Sequence, residues 1–309
     1  MNQKRFLAIG ECMLEMSGIG GPDYRLGFAG DTLNTAWYAR ATLPDDWQVS
    51  YFTRVGVDPY SQRMRAFFED NGIDTSFISV DPARQPGLYL INVKDGERSF
   101  TYWRDHSAAR GLADDPDALA RAVRSARMVY ISGITLAILA PERRDALLQT
   151  LALARAAGAI TVFDPNIRPR LWPDEETIRR EIMRAASVAS IALPSFDDDA
   201  ALFGDVSLNG CAARYLNAGC EIVVVKNGGG EILACAQQQD SISLVPEKMI
   251  PIDTTGAGDS FNSGFLSAWV QGKSLAVALE HGHALSSQVI MQKGALLPLQ
   301  ALAGLQARL

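Results

Sequence analysis

The sequence predicts an α/β fold, with a mostly parallel sheet flanked by helices on both faces and a small β lid. Three observations lead there. Short apolar runs alternate with helix-period patterns along almost the whole chain. Gly158 and Gly219 close two of those helix patterns just before the next apolar run. Two segments, about 11–30 and 86–104, break the alternation. Repeated strand-helix-strand order favours parallel pairing, and ligands then bind beyond the carboxyl ends of the strands.

In chain order, Phe6–Gly10, Ser50–Val55, Met128–Ser132, Ile160–Asp164, Val188–Leu193 and Ile222–Lys226 read as buried strands. Helix patterns fall near Thr32–Thr42, Ser61–Asn71, Arg143–Ala156, Glu176–Ala186 and Ala212–Ala218. Pro116, Pro141 and Pro173 mark turns or helix starts. Residues 11–30 are glycine-rich with little helix character. Residues 86–104 read as a hairpin, Gly87–Val93 and Arg98–Arg104 around the turn Lys94-Asp-Gly-Glu97. A hairpin inserted in an α/β pattern should project from the main body. One domain spanning 1–309 is expected, with 11–30 and 86–104 forming a lid over a site at the sheet edge.

The totals narrow the function. The chain has 309 residues, 48% hydrophobic and 21% charged, with a formal net charge of −6. That is an ordinary globular balance. Overall acidity without a basic block argues against nucleic-acid binding. No apolar run is long enough to span a bilayer, and no signal peptide is expected ahead of the first strand. Cys12, Cys211, Cys220 and Cys235 are scattered, without a C-x-x-C pair. Buried thiols in a reducing cytoplasm fit that spacing better than zinc or disulfides. His281 and His283 lie two apart, off a common helix face, and read as ordinary polar residues.

The most informative stretch is Asp253-Thr-Thr-Gly-Ala-Gly-Asp-Ser-Phe261. It is a turn without bulk, running into a helix with Phe261, Phe265, Ala268 and Trp269 on one face. Such a turn lets backbone N–H groups approach an anion. Asp259 beside an anion site needs another task, and accepting a proton from a hydroxyl that attacks phosphorus fits. The alternative is a plain helix start with a dipole-favoured Asp. Gly30-Asp-Thr-Leu-Asn34 is a second loop-to-helix junction, where Asp31 and Asn34 suit sugar hydroxyls. In Asn166-Ile-Arg-Pro-Arg-Leu-Trp172 two arginines follow a strand end, and Arg suits a carboxylate through its planar fork. Tyr102 and Arg104 share a strand face, with Tyr89 across the hairpin. Val223–Gly230 is a strand running into a glycine turn that a nucleotide could lie against. No G-x-x-x-x-G-K-[ST] and no dinucleotide fingerprint is present.

These residues together resemble the ribokinase or PfkB family of sugar kinases along essentially the whole chain. The family's D-T-[TV]-[GA]-A-G-D-[ST]-F signature is matched at 253–261, and its N-terminal glycine element at Gly27–Asn34. Gly87-Leu-Tyr, Tyr102-Trp-Arg104 and Asn166–Trp172 resemble its sugar-acid kinases. The resemblance implies a ribokinase-like fold and transfer of the ATP γ-phosphoryl group to the terminal hydroxyl of a ketodeoxy sugar acid. It implies Asp259 as base and Gly256, Ala257 and Gly258 as anion hole. Gly30, Asp31, Asn34, Tyr89, Tyr102, Arg104 and Arg168 are then expected on the sugar. Asn166, Arg168, Lys226 and Gly228, with Gly256 and Gly258, are expected on the nucleotide. The family's N-x-x-E element is replaced by Ser195-Phe-Asp-Asp198. Mg²⁺ is still expected, served through water by Asp198, with Asp197 the alternative. The exposed lid face is expected to offer a second chain a pairing surface. The competing readings are a neutral-sugar or nucleoside kinase, a catalytically silent sugar- or nucleotide-binding regulator, and a dinucleotide-dependent oxidoreductase.

Overall fold

The computed structural model describes residues 4–94 and 97–306. In chain order the strands are β1 (Arg5–Ile9), β2 (Met13–Gly20), β3 (Asp23–Ala29), β4 (Gln48–Val55), β5 (Ile73–Asp74), β6 (Ile78–Val80) and β7 (Leu88–Lys94). They continue with β8 (Glu97–Trp103), β9 (Met128–Ser132), β10 (Ile160–Asp164), β11 (Ile191–Ala192), β12 (Ile222–Val225), β13 (Ile232–Ala236) and β14 (Ile242–Leu244).

The main sheet runs β14-β13-β12-β11-β10-β9-β1-β4-β5, with β6 also on β4. Pairing is parallel from β12 across to β5, and β13 and β14 add an antiparallel edge. Strand alternation splits the core. Phe6 and Ala8 of β1 pack on one face with the helices Asp31–Thr42 and Ala257–Val270. Leu7 and Ile9 pack on the other with the helices Pro116–Ser125, Pro141–Ala156 and Glu175–Val188. Burial on both faces is why these strands read as unbroken apolar runs.

The two segments that broke the alternation form one separate four-stranded sheet, in the order β3-β2-β7-β8. β2 pairs β3 antiparallel and β7 in parallel, and β7 pairs β8 antiparallel with Tyr89 opposite Tyr102. The expected hairpin is therefore present, while its Asp95-Gly96 turn lies outside the described residues.

Two expectations change. The strand expected over Val188–Leu193 is only Ile191–Ala192, because Val188 closes the preceding helix. The helix Ala257–Val270 is not amphipathic in the expected way, because all residues from Ser260 to Ala268 are buried. Its polar members are satisfied internally: Ser263 Oγ donates to the Thr35 carbonyl at 2.6 Å, and Ser267 Oγ bonds Thr42 Oγ1 at 2.6 Å. The helix also crosses Leu275–Val289 backbone to backbone. A Cβ on Gly264 would meet the His281 carbonyl oxygen at 2.8 Å and Gly282 Cα at 2.9 Å.

That crossing fixes the helix whose first turn carries Asp259. Gly264→Ala should therefore lower the unfolding free energy by about 1–3 kcal/mol through forced separation of the two helices. Urea unfolding of the variant against the parent chain checks this.

Candidate active site

The carboxyl ends of β10 and β12 and the N-termini of two helices converge on one cleft of about 350 Å³. The helix Ala257–Val270 starts at Gly256, whose φ of 78° is left-handed and which has no side-chain cap. A side chain there would also strike the Ala295 carbonyl oxygen at 2.9 Å, so glycine is required twice over. Asp253 fixes the preceding turn. Its Oδ1 accepts from Thr255 N at 3.0 Å and Oγ1 at 2.7 Å, and its Oδ2 from Gly294 N at 2.7 Å. Gly256, Ala257, Gly258 and Asp259 thus present an uncapped helix start to the cleft, where the first N–H groups lack intrahelical acceptors.

Asp259 is half-buried and accepts from Asn34 Nδ2 at 2.8 Å. Burial, then the charges of Asp31 and Asp164, push its pKa up to about 8, against the opposing pull of the Asn34 bond and Lys226. Around it lies a chain of polar contacts. Asn166 Nδ2 donates to Asp31 Oδ2 at 2.8 Å, and its own N–H to Asp164 Oδ1 at 3.0 Å. Asn166 has φ 33°, a left-handed conformation for a non-glycine residue. Strain of about 1–3 kcal/mol at such a site persists only when the surroundings hold it. Asp164 Oδ2 accepts from Lys226 Nζ at 2.8 Å and Asn262 Nδ2 at 2.6 Å. Lys226 Nζ also donates to Asn262 Oδ1 at 3.1 Å, and Asn262 Nδ2 to Tyr130 Oη at 3.0 Å.

All the residues expected on the sugar line this cleft: Gly30, Asp31, Asn34, Tyr89, Tyr102, Arg104, Arg168 and Asp259. Arg104 differs from expectation in its state. It is buried and ion-paired to the equally buried Glu11, so its charge is already answered. Arg168 is half-exposed, bonded to the Ile167 carbonyl at 2.7 Å and 3.4 Å from Asp198. Asp198 lines the cleft, with its pKa raised by burial and by Asp164 against the pull of Arg168. Asp197 is exposed and does not line it. Asn166, expected on the nucleotide, lines this cleft together with Arg168, Lys226, Gly256 and Gly258.

A second cavity of about 600 Å³ adjoins the first. Ser195, Lys226, Thr254, Ala257 and Gly258 line both. Gly228, Ile232, Phe261, His283 and Ile290, with residues 246–251, give the second cavity a largely apolar wall. Gly228, one of the residues expected on the nucleotide, lines this second cavity. His283, read as an ordinary polar residue, is half-buried in that wall. The loop 246–251 and the helix Leu275–Val289 carried no motif, so this wall was invisible in the sequence. Asn262 had a signal: it stands three residues after Asp259, a polar group on an apolar helix. For a divalent cation, the fit is partial and consistent with Mg²⁺. The cleft offers the carboxylates Asp164 and Asp198, and Mg²⁺ commonly takes one or two carboxylates plus substrate phosphates and water. The one tight ligand-type cluster among the described residues, Asp199, Asp205 and Cys211, already holds the Arg214 guanidinium.

An uncapped glycine helix start, a carboxylate beside it and two adjoining cavities define a phosphoryl-transfer site for a small hydroxylated molecule. The family model described as pfkB family carbohydrate kinase matches residues 3–302, and the chain belongs to that family. A 2-dehydro-3-deoxygluconokinase of Dickeya dadantii (strain 3937) is 39% identical, covering 98% of this chain and 99% of the relative. One of Escherichia coli (strain K12) is likewise 39% identical, over 97% and 99%. A crystal structure of a PfkB protein from Polaromonas sp. JS666 superposes with a TM-score of 0.83 at 28% identity, covering 98% and 99% of the two chains.

The crowding of Asp259 has a stability consequence. Folded Asp259 keeps its proton up to about pH 8, while an unfolded Asp releases it near pH 4. Between these values the folded chain binds more protons, so this residue's contribution to stability falls as pH rises. Asp259→Asn should therefore gain a few degrees in Tm over the parent at pH 8, and little at pH 5. Paired thermal scans across that range check the widening gap.

Proposed function

We propose that this chain is a 2-keto-3-deoxygluconate kinase, phosphorylating the terminal 6-hydroxyl of 2-dehydro-3-deoxy-D-gluconate from ATP. The observation that carries the reading is the meeting of the two cavities at Thr254, Ala257 and Gly258, beside Asp259. The sugar occupies the polar cleft, the nucleotide base the more apolar cavity, and the γ-phosphoryl group the junction. The names of the full-length relatives support the substrate.

Asn34 holds one oxygen of Asp259, leaving the other for the attacking hydroxyl. Asp259 takes the hydroxyl proton as the oxygen closes on phosphorus. A carboxylate with pKa near 8 is a stronger proton acceptor than an ordinary one, and its value lies close to working pH. The N–H groups of Gly256 and Gly258 meet charge growing on the phosphoryl oxygens, and the Ala257 N–H, bonded to the Thr254 carbonyl at 3.2 Å, holds the turn. Lys226 lies against the same turn, 3.5 Å from where a Gly258 Cβ would be, and Asp164 and Asn262 fix its ammonium. Arg168 contributes positive charge where sugar and γ-phosphate meet. Asp198 and Asp164 would hold Mg²⁺ through water, and the ion supplies charge neutralisation of the nucleotide phosphates. The small sheet acts as a lid that excludes water, the competing acceptor. Its edge strand β8 exposes Phe100 and Trp103, which supports a homodimer through this sheet. Among the described residues no helix is long and apolar enough to cross a membrane, and a cytoplasmic location belongs to the same proposal.

Asp259→Asn should lower kcat by roughly 10²- to 10⁴-fold while leaving the KM for MgATP little changed. Coupled assays of the purified variant measure both, and parent-like turnover would remove Asp259 as base. For the parent chain, kcat/KM for the sugar acid should fall roughly tenfold per pH unit below about pH 8, because the base must be unprotonated. A screen of sugar acids against neutral sugars decides the substrate, and preference for fructose or ribose would replace the proposed acid with a neutral acceptor.

A further inference from the structure

The cleft holds several cationic side chains, but they are not equally available to a substrate carboxylate. Arg104 is buried and ion-paired to Glu11 through one nitrogen, with its Nε unpartnered. Drawing it away would leave a buried carboxylate unpaired, which is costly. Lys226 is held by Asp164 and Asn262. Arg168 is shared between the Ile167 carbonyl and Asp198. Arg170 is different. It lines the cleft and is exposed, and among the described residues it makes no ion pair or side-chain hydrogen bond. Its guanidinium lies over the Tyr102 ring, 4.1 Å from the centroid.

That stack leaves the fork free. A guanidinium uses its face for the ring and its edge for hydrogen bonds, so it can stay on Tyr102 while its N–H groups take a carboxylate in two parallel bonds. Tyr102 is itself held, stacked on Tyr89 at 5.6 Å, and Tyr89 donates to Glu15. The arginine is thus oriented before the ligand arrives. Arg170 belongs to the 3-10 turn Pro169–Leu171 after β10 and Tyr102 to the small sheet, so an acid bound between them would be gripped from both sides. The other end of the cleft is acidic, with Asp31, Asp164 and Asp259, which orients a sugar acid with its charged end away from the reacting centre.

We propose that Arg170, stacked on Tyr102, is the specificity-determining residue that makes this site prefer an acidic over a neutral sugar. The inference rests on the sugar-acid kinase reading above. Its test compares kcat/KM for 2-keto-3-deoxygluconate with that for 3-deoxyfructose, in which a hydroxymethyl group replaces the carboxylate. In the parent chain the acid is preferred. In Arg170→Ala the preference should shrink by roughly tenfold or more, through a higher KM for the acid. KM for MgATP, the parameters for 3-deoxyfructose and Tm should stay near parent values. Arg170→Lys should fall between, keeping charge but losing the fork, and Tyr102→Leu should move toward Arg170→Ala. An unchanged acid preference in Arg170→Ala overturns the role of Arg170 and leaves the sugar-acid reading standing. No acid preference in the parent chain overturns both.

Discussion

The site is organised around one electrostatic conflict. Three carboxylates, Asp31, Asp164 and Asp259, line one cleft. Like charges at close quarters raise one another's pKa and resist desolvation. The conflict is resolved by assigning each acid its own partners. Asn166 answers Asp31, Lys226 and Asn262 answer Asp164, and Asn34, helped by the charge of Lys226, answers Asp259. Asp259, beside the open helix start, keeps a single hydrogen-bond donor. Burial, then the charges of Asp31 and Asp164, raise its proton affinity.

The fold supplies these partners from distant parts of the chain. Asn34 and Asp31 come from the first long helix, Asn166 and Asp164 from the end of β10, Lys226 from the end of β12, and Asn262 from the helix that also bears Asp259. No local segment builds the site. It depends on parallel strands ending together and on close helix contact at Gly264 and Gly282. The all-round burial of the helix Ala257–Val270 follows from this, since its polar side chains are needed inward.

Much of the fold was legible in the sequence because both-face burial leaves continuous apolar runs, and because glycine and proline punctuate them. Val188 was misread because an apolar residue at a helix end looks like the start of the next strand. The loop 253–261 was legible because Gly256, left-handed and pressed on the Ala295 backbone, must be glycine, and Asp259 stands out beside it. The partners were harder. Arg104 looked like a free cation since Glu11, its counter-ion, is 93 residues away in the chain. The bond from the Asn166 amide to Asp31 joins residues 135 positions apart, which no sequence pattern shows. The apolar wall of the second cavity, with His283 and residues 246–251, had no legible signal because ordinary hydrophobic residues become a pocket only through tertiary placement.

The central claim is that the Asp259 carboxyl faces the acceptor hydroxyl while the helix start at Gly256–Gly258 faces the γ-phosphate. The direct test is a crystal structure with 2-keto-3-deoxygluconate and a non-transferable ATP analogue bound together. The predicted result is a terminal hydroxyl oxygen about 3 Å from an Asp259 oxygen, with the γ-phosphate against the glycine turn. A sugar whose terminal hydroxyl points away from Asp259, with the γ-phosphate elsewhere than residues 256–258, would contradict it.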